Sequence, residues 1–252
     1  MPSQLQFKDV TFGYDRHPAV HHLSGNVASG TLLAVVGPNG AGKSTLFRGI
    51  VGILKALSGS VDLAGLDARD IAYLPQSAEI DRTFPITVFD FVSTGLWRQT
   101  GFFGGIGKPG RERIIQALAA IGLNGFENRS IGTLSGGQMQ RVLFARVMLQ
   151  DAPLILLDEP FNAIDSRTSA DLIAVVEQWH AEKRTVLAAL HDIDLVRAHF
   201  PETLLLAREP VAWGATRDVL ASENLLTARR MCEAFDDSAA ACAVKRRPSQ
   251  AA

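Results

Sequence analysis

The segment that decides the fold reads Gly37-Pro38-Asn39-Gly40-Ala41-Gly42-Lys43-Ser44. Residues 31–36 before it form a short apolar run rich in branched side chains, as expected of a buried parallel strand. After it, residues 44–50 open a helical pattern, with Leu46, Ile50 and Ile53 predicted on the same face. A strand, a glycine-rich loop and a helix in this order predict a P-loop, which binds phosphate groups.

The residue types of this loop suit a nucleoside triphosphate. Its glycines let backbone N–H groups turn toward the phosphates, and the helix N-terminus adds partial positive charge. Lys43 is placed for the β- and γ-phosphates and the Ser44 hydroxyl for Mg²⁺, with Thr45 next to them. The alternative is a chance glycine-rich turn ending in Lys-Ser, and the flanking strand and helix disfavour it.

A second segment, Pro153-Leu154-Ile155-Leu156-Leu157-Asp158-Glu159, predicts another buried strand with two acids at its end. In open α/β sheets, ligand sites lie at the carboxyl edge of the strands. We therefore expect Asp158 to bind Mg²⁺ through water and Glu159 to polarise the attacking water. For this segment alone, a strand followed by an acidic turn is the better interpretation. Because the chain also has a P-loop, a site for Mg²⁺ and the attacking water is the better interpretation here.

Five motifs follow one another along the chain in a characteristic order and spacing. They are the P-loop, Gln76 in Tyr73-Leu74-Pro75-Gln76, the segment Leu134-Ser135-Gly136-Gly137-Gln138, the pair Asp158-Glu159, and His191 in Leu190-His191-Asp192. With them the chain resembles the ATP-binding subunit of an ABC (ATP-binding cassette) transporter over nearly its whole length. The resemblance implies an α/β, ABC-type P-loop NTPase fold with a RecA-like core, an antiparallel β subdomain and a helical subdomain.

The resemblance also implies a role for each matched residue. Tyr14 would stack on adenine, His191 would hold the γ-phosphate, and Gln76 would contact Mg²⁺ and the hydrolytic water. The implied catalytic residues are Glu159, His191 and Gln76, and the implied Mg²⁺ ligands are Ser44, Gln76 and Asp158. The implied ATP-binding residues are Tyr14, Gly37, Pro38, Asn39, Gly40, Ala41, Gly42, Lys43, Ser44, Thr45, Ser135, Gly136, Gly137, Gln138 and Asp165.

The segment 134–138 implies a second copy of the chain. A helix that begins after Ser135-Gly136-Gly137 offers amides and a dipole to a phosphate, yet the P-loop already fills that need in its own site. By resemblance, Ser135 and Gly137 cap the γ-phosphate of ATP bound to the opposite subunit, and Asp165 ends the segment that crosses the interface. We therefore expect a homodimer that closes on ATP. Residues 162–165 read Asn-Ala-Ile-Asp where the family usually has Ser-x-Leu-Asp, and we expect function to be preserved.

The pattern predicts one ATP-binding domain, residues 1–235, followed by a mobile tail at 236–252. A helical subdomain, about 77–150, is expected to meet a membrane permease. Two antiparallel strands near the start are expected to cover one side of the nucleotide. The predicted elements are strands at residues 5–14, 19–27, 204–206 and 211–213, a loop at 101–110, and helices at 111–121, after Thr216 and after Glu223.

Composition and charge agree with a peripheral subunit of a transporter. The chain has 252 residues, of which 47% are hydrophobic, and its net charge of −1 gives no reason to expect a nucleic-acid partner. Cys232 and Cys242 suggest no disulfide framework, which favours a reducing compartment. There is no signal peptide and no apolar run of about 20 residues, so we expect separate integral membrane permease subunits. The expected location is the cytoplasmic face of the inner membrane.

The transported cargo is suggested by residues 79–95. An acidic residue shortly before Phe84-Pro85-Ile86-Thr87-Val88 resembles the branch of the family that imports zinc and manganese, with an extracytoplasmic metal-binding protein as an indirect partner. We expect zinc ahead of manganese. A ferric-siderophore or haem importer is the alternative, and a non-transport ABC protein of translation or DNA repair is a third. His17, His21 and His22 predict no zinc site, because neighbouring strand residues point to opposite faces and no acid or thiol cluster completes the set.

Overall fold

Two β-sheets form the frame of the protein. The computed structural model describes residues 3–15, 17–76, 79–101, 104–162 and 164–233. The predicted tail at 236–252 lies outside these ranges. The strands are β1 (Ser3–Tyr14), β2 (His17–Ala28), β3 (Leu32–Val36), β4 (Ser58–Asp62), β5 (Ile71–Leu74), β6 (Leu154–Asp158), β7 (Thr185–Leu190), β8 (Glu202–Ala207) and β9 (Glu209–Ala215).

The larger sheet has the strand order β5-β6-β7-β3-β8-β9. Its strands pair in parallel except for β8 with β9. Every side chain of β3, β6 and β7 is buried, as their nearly continuous apolar sequences predict. Parallel strands end at the same edge of a sheet, so the residues that follow β3, β5, β6 and β7 are brought together. These residues are the P-loop, Gln76, Glu159 and His191.

The smaller sheet is antiparallel and has the order β2-β1-β4. β1 and β2 confirm the predicted pair of strands. β4 was not predicted, because its sequence, Ser-Gly-Ser-Val-Asp, has no apolar run. Trp213 of β9 packs against this sheet, with its ring centroid 6.0 Å from that of Phe7. Gly25 leaves room for the indole, since a Cβ there would lie 2.5 Å from the Trp213 ring, and the two sheets pack as one unit.

The helices flank the larger sheet or lie in the segment between β5 and β6. The four in that segment, α2 to α5, fall within the predicted helical subdomain. α8 and α9 confirm the helices predicted after Thr216 and Glu223. The helices are α1 (Lys43–Val51), α2 (Val88–Ser93), α3 (Trp97–Thr100), α4 (Lys108–Ala120), α5 (Gly136–Gln150), α6 (Ser166–Ala181), α7 (Ile193–His199), α8 (Thr216–Val219) and α9 (Ser222–Glu233).

Two local predictions were wrong. The predicted loop at 101–110 ends early, because α4 begins at Lys108 with Pro109 in its first turn, where a missing N–H is tolerated. The predicted helical face is confirmed for Leu46 and Ile50, which are buried in α1, and is wrong for Ile53. α1 ends at Val51, before a left-handed Gly52 at φ 85°, and the Ile53 side chain is 66% exposed. Across the described ranges, no helix is both long and apolar enough to span a bilayer.

Alternate side chains of the larger sheet enter two different cores. Along β3, Leu32, Ala34 and Val36 belong to the core shared with α2, α4, α5 and α6. Leu33 and Val35 belong to the core shared with β1, β2 and α1. This alternation follows from the period of two along a strand. The sheet is therefore held from both faces, which fixes the position of the loops at its carboxyl edge.

Candidate active site

The P-loop joins β3 to α1 and has a conformation that requires glycine. Gly40 and Gly42 have φ angles of 77° and 95°, in the left-handed region that side chains disfavour. At Gly37 the backbone passes so close to β8 that a Cβ would lie 2.0 Å from the Leu206 carbonyl oxygen. The loop is therefore tightly built, and it leads into the first turn of α1, whose N-cap Gly42 has no side chain to cap the helix. The start of such a helix can offer backbone N–H groups to an anion.

Lys43 lies across this loop rather than pointing into solvent. Its side chain is 5% exposed, and Nζ donates hydrogen bonds to the carbonyl oxygens of Gly37 (2.8 Å) and Pro38 (3.0 Å). Burial lowers the pKa of Lys43, while the nearby carboxylates of Glu159 and Asp158 act in the opposite direction. A buried ammonium group inside a loop of this shape is suited to contact phosphate oxygens.

The three predicted Mg²⁺ ligands lie together beside the loop. The Ser44 hydroxyl donates to Asp158 Oδ1 (3.0 Å), and Gln76 Nε2 donates to Ser44 Oγ (3.3 Å). Asp158 is fully buried, and this burial raises its pKa to about 6, although the Ser44 hydrogen bond opposes the rise. A hydroxyl, an amide and a buried carboxylate form an oxygen-rich set that fits Mg²⁺.

Tyr73, which was not predicted as part of the site, also contacts Asp158. Its hydroxyl donates to Asp158 Oδ2 at 3.4 Å. Tyr73 lies on β5, three residues before Gln76, so the strand that ends near the site also supplies this contact. The only sequence signal was its place in the Tyr73–Gln76 motif, where Gln76 alone had an expected role.

Glu159 follows β6 and pairs with His191, which follows β7. Its Oε1 pairs with His191 Nε2, and its Oε2 accepts a hydrogen bond from Asn162 Nδ2 (3.2 Å). Glu159 has a left-handed φ of 51°, held by a hydrogen bond from its N–H to the Ala189 carbonyl oxygen (3.1 Å). These side chains line a cavity of about 140 Å³, in which a carboxylate beside an imidazole can orient water.

The segment 134–138 begins helix α5 and caps it. Ser135 Oγ accepts a hydrogen bond from the Gln138 N–H (3.2 Å), and Gln138 Oε1 accepts one from the Ser135 N–H (3.0 Å). Asp165 caps α6 nearby: a Cβ on Gly137 would lie 3.9 Å from Asp165 Oδ2. The backbone and side chain of Thr168 donate to Asp165 and lower its pKa.

Ser135 and Gly136 are exposed at the start of α5. Within the part of the chain that the structure describes, no hydrogen bond or ion pair joins the segment 135–138 to the P-loop. The start of a helix leaves backbone N–H groups open to an anion. The two predicted phosphate-binding elements therefore form no joint site through contacts within one chain.

Tyr14 ends β1 with a ring that is 45% exposed, as required of a ring that stacks on a base. Arg48 Nη1 donates a hydrogen bond of 3.1 Å to the Tyr14 hydroxyl, and Arg48 Nη2 forms an ion pair with Glu79. Neither Arg48 nor Glu79 was predicted as part of the site. Charged residues on a helix and in a loop gave no distinctive sequence pattern.

Comparison with known proteins agrees with this geometry. Residues 20–162 match the family model described as ABC transporter. The chain belongs to the ABC transporter family. This ABC protein is 37% identical over 225 residues to the manganese transport system ATP-binding protein MntB of Listeria monocytogenes, covering 88% of this chain and 94% of that protein. It is 36% identical over 223 residues to the zinc transport system ATP-binding protein TroB of Treponema pallidum, covering 87% of this chain and 84% of that protein.

Solved structures share the fold. A transporter assigned to the metal-chelate ABC type, in an inward-facing conformation, has a TM-score of 0.80 at 29% identity and covers 91% of this chain and 90% of that one. A dimeric bacterial ABC transporter cassette has a TM-score of 0.75 at 27% identity, covering 84% of this chain and 99% of that one. This ABC protein is therefore an ATPase with the predicted α/β P-loop NTPase fold.

Proposed function

We propose that this chain is the ATP-hydrolysing subunit that powers import of a divalent metal ion, zinc ahead of manganese, through a separate membrane permease. The observation that carries the proposal is the buried Asp158 carboxylate, joined to Ser44 and Gln76 beside the Glu159–His191 pair. Similarity to proteins named for manganese and zinc transport supports the class of cargo.

In this proposal each residue has one task in binding ATP. Tyr14 stacks on the adenine, while Lys43, the P-loop amides and Thr45 contact the phosphates. Ser44, Gln76 and Asp158 would hold Mg²⁺, which neutralises charge on the β- and γ-phosphates when bound. The pKa of Asp158, raised to about 6 by burial, still leaves the carboxylate ionised at neutral pH and able to hold a cation.

Hydrolysis is assigned to the residues after β6 and β7. Glu159 orients water for attack on the γ-phosphate, since its carboxylate is held from two sides by His191 and Asn162. His191 steadies the γ-phosphate, and Gln76 contacts the water from the end of β5. The two hydrogen-bond partners fix the carboxylate before ATP arrives, which reduces the reorganisation needed in the transition state.

A second copy completes each site. We assign Ser135, Gly136, Gly137 and Gln138 to the γ-phosphate of ATP bound to the opposite subunit. Asp165, which caps α6 next to Gly137, is assigned to the interface crossing. The exposed start of α5 supports this assignment, and so does the likeness to a dimeric cassette. ATP-dependent closure then follows because each nucleotide touches both copies.

The permease is proposed to contact the helical subdomain, about residues 77–150 of a domain spanning 1–235. Phe84 and Trp97 in this part of the chain are 61% and 57% exposed, more than large apolar side chains normally are. Such side chains suit a protein partner. We therefore place the subunit at the cytoplasmic face of the inner membrane, with permease subunits as direct partners and an extracytoplasmic metal-binding protein as an indirect one.

The cargo is tested by elemental analysis of metal-starved cells in which other uptake systems are removed. Cells with the intact chain are compared with cells carrying Glu159→Gln, and Glu177→Gln is the control because Glu177 pairs with His199 at the surface. A selective fall in cell zinc with Glu159→Gln supports the proposal. A selective fall in manganese or iron changes the cargo and keeps the motor. Unchanged levels of all three metals refute metal import.

The motor itself is tested on the purified chain. Glu159→Gln is expected to leave ATP binding intact, to nearly abolish phosphate release and to trap a closed dimer, measured by size-exclusion chromatography with ATP. A normal rate of hydrolysis in this variant would contradict the role of Glu159. Co-purification with an integral membrane protein distinguishes a transport subunit from an ABC protein of translation or DNA repair.

A further inference from the structure

Arg48 lies at the junction of three parts of the proposed ATP site. We propose that Arg48 is a positioning residue that couples the base-stacking ring of Tyr14 to the segment carrying Gln76. The inference rests on the proposed function, since it requires ATP to bind at this site. It assigns to one guanidinium group the task of linking the base end of the nucleotide to the hydrolytic end.

The first contact anchors Tyr14. Arg48 Nη1 donates a hydrogen bond of 3.1 Å to the Tyr14 hydroxyl, at the edge of the ring, so the ring face stays open for stacking. Arg48 lies one turn after Ser44 on α1, and both are carried by the same helix. A ring anchored before ATP arrives loses less conformational freedom on binding.

The second contact reaches the Gln76 segment. Arg48 Nη2 forms an ion pair with Glu79, and the Glu79 N–H donates to the Gln76 carbonyl oxygen at 3.0 Å. The side chains of Arg48 and Glu79 are 32% and 34% exposed, so the pair is partly shielded from water. A partly shielded pair that belongs to a larger network is worth more than an isolated surface pair. A displacement of Arg48 is therefore transmitted to the residues next to Gln76.

The strand that precedes Gln76 leads to the buried carboxylate. Tyr73 lies on β5, and its hydroxyl donates to Asp158 Oδ2 at 3.4 Å. The contacts from Arg48 through Glu79 to Gln76 therefore adjoin the strand that contacts Asp158.

The geometry uses a property that lysine lacks. Arginine presents several N–H groups in a rigid planar fork, whereas lysine presents one compact charge on a flexible stem. In Arg48 two different nitrogens serve two different partners, Tyr14 and Glu79. A lysine at this position could satisfy one partner at a time. Arg48→Lys is therefore an informative variant, because it keeps the charge and removes the simultaneous contact.

The experiment measures two quantities on the purified full chain: the Kd for trinitrophenyl-ATP and the kcat for phosphate release. Loss of one hydrogen bond predicts a change of about twofold to tenfold. Tyr14→Phe, which keeps the ring and removes the hydroxyl, is expected to act on Kd, and Glu79→Gln on kcat. Arg48→Met and Arg48→Lys are expected to raise Kd and to lower kcat.

Double variants decide whether the effects share one cause. In the Arg48→Met background, Tyr14→Phe is expected to add little to Kd and Glu79→Gln little to kcat. The control is Arg184→Met, whose side chain pairs with Asp151 and Glu182 at the opposite edge of the sheet and is expected to leave both quantities unchanged. The inference is overturned if the fold-changes in Kd and kcat of the single variants simply multiply in the double variants. It is also overturned if Arg48→Lys has the same Kd and kcat as the intact chain.

A spectroscopic measurement tests the contacts directly. With 3-fluorotyrosine the protein should give two fluorine NMR signals, one for each tyrosine, assigned by Tyr14→Phe and Tyr73→Phe. Arg48→Met is expected to shift the Tyr14 signal in the folded protein, and Arg184→Met neither signal. A Tyr14 signal that stays in place overturns the contact between Arg48 and Tyr14. Failure of the intact chain to bind trinitrophenyl-ATP would instead overturn the proposed function itself.

Discussion

Replacing Asp158 with asparagine should stabilise the nucleotide-free protein while weakening its response to Mg²⁺ and ATP. Burial raises the pKa of this carboxyl from 3.8 to about 6. The folded state therefore holds a proton that the unfolded state releases between these two pH values. Protonation of Asp158 stabilises the folded state fully below pH 3.8, and this stabilisation is lost as the pH rises through about 6. At about 1.4 kcal/mol per pH unit, the ionised carboxylate lowers the free energy of unfolding by about 3 kcal/mol at neutral pH.

Asp158→Asn removes this penalty and keeps one oxygen, which can accept the hydrogen bond that Ser44 donates to Oδ1, while the amide nitrogen replaces the Oδ2 that Tyr73 contacts. For a chain of this size, about 3 kcal/mol corresponds to an increase in Tm of about 5–10 °C. Thermal unfolding followed by circular dichroism at pH 7.5 in EDTA measures the gain, which should fall to about half at pH 5. Addition of Mg²⁺ and ATP should raise the Tm of the intact chain more than that of the variant, which keeps the P-loop but loses one Mg²⁺ ligand.

The matched control is Asp62→Asn. The pKa of Asp62 is lowered by a hydrogen bond from the Ala64 N–H and by Lys8, so the same substitution should have the opposite sign at neutral pH. A lower Tm for Asp158→Asn at pH 7.5 would refute the reasoning, because it would mean that the carboxylate stabilises the empty site. A gain independent of pH would refute it as well.

Three further substitutions test other parts of the structure. Lys43→Ala should weaken binding of trinitrophenyl-ATP by more than about tenfold, since a charge-assisted contact is lost; unchanged affinity would contradict the P-loop assignment. Gly49→Ala should lower the Tm although alanine favours helices, because the new Cβ would lie 2.3 Å from the buried Phe12 ring, and overpacking costs about 1–3 kcal/mol; a raised Tm would show that the ring can move. Ser135→Ala should lose the cap on Gln138, costing about 0.5–2 kcal/mol in unfolding experiments, and should weaken the ATP-dependent dimer; an unaltered dimer would argue against its role across the interface.

The sequence predicted those parts of the site that follow buried strands. Two apolar runs, at residues 31–36 and 154–157, are typical of buried strands in a parallel sheet, and parallel strands deliver their ends to one edge. The close approach of Ser44, Gln76 and Asp158 follows from this arrangement. The exact course of the loops did not follow, because their conformations depend on single contacts, such as that between Gly37 and Leu206.

The parts that sequence reasoning missed are polar side chains that act through tertiary contacts. Arg48, Tyr73 and Asn162 lie on a helix, a strand and a turn whose patterns were already explained by packing or by another motif. The partner of Arg48, Tyr14, is far away in sequence. The hydrogen bond between Asn162 and Glu159 depends on the left-handed backbone at Glu159. β4 was missed because its residues are exposed or half-buried, so its sequence has no apolar run. The strand forms by pairing with β1, and its sequence does not show that contact.

The left-handed backbone of Glu159 has a consequence for how this protein can change over generations. A non-glycine residue at φ 51° is strained by about 1 kcal/mol or more, and the residue before it, Asp158, is a buried acid. If selection acted only on the stability of the fold, glycine would be favoured at position 159 and an uncharged residue at position 158. A copy of this chain released from selection for turnover should therefore lose this pair of acids before it loses the surrounding core.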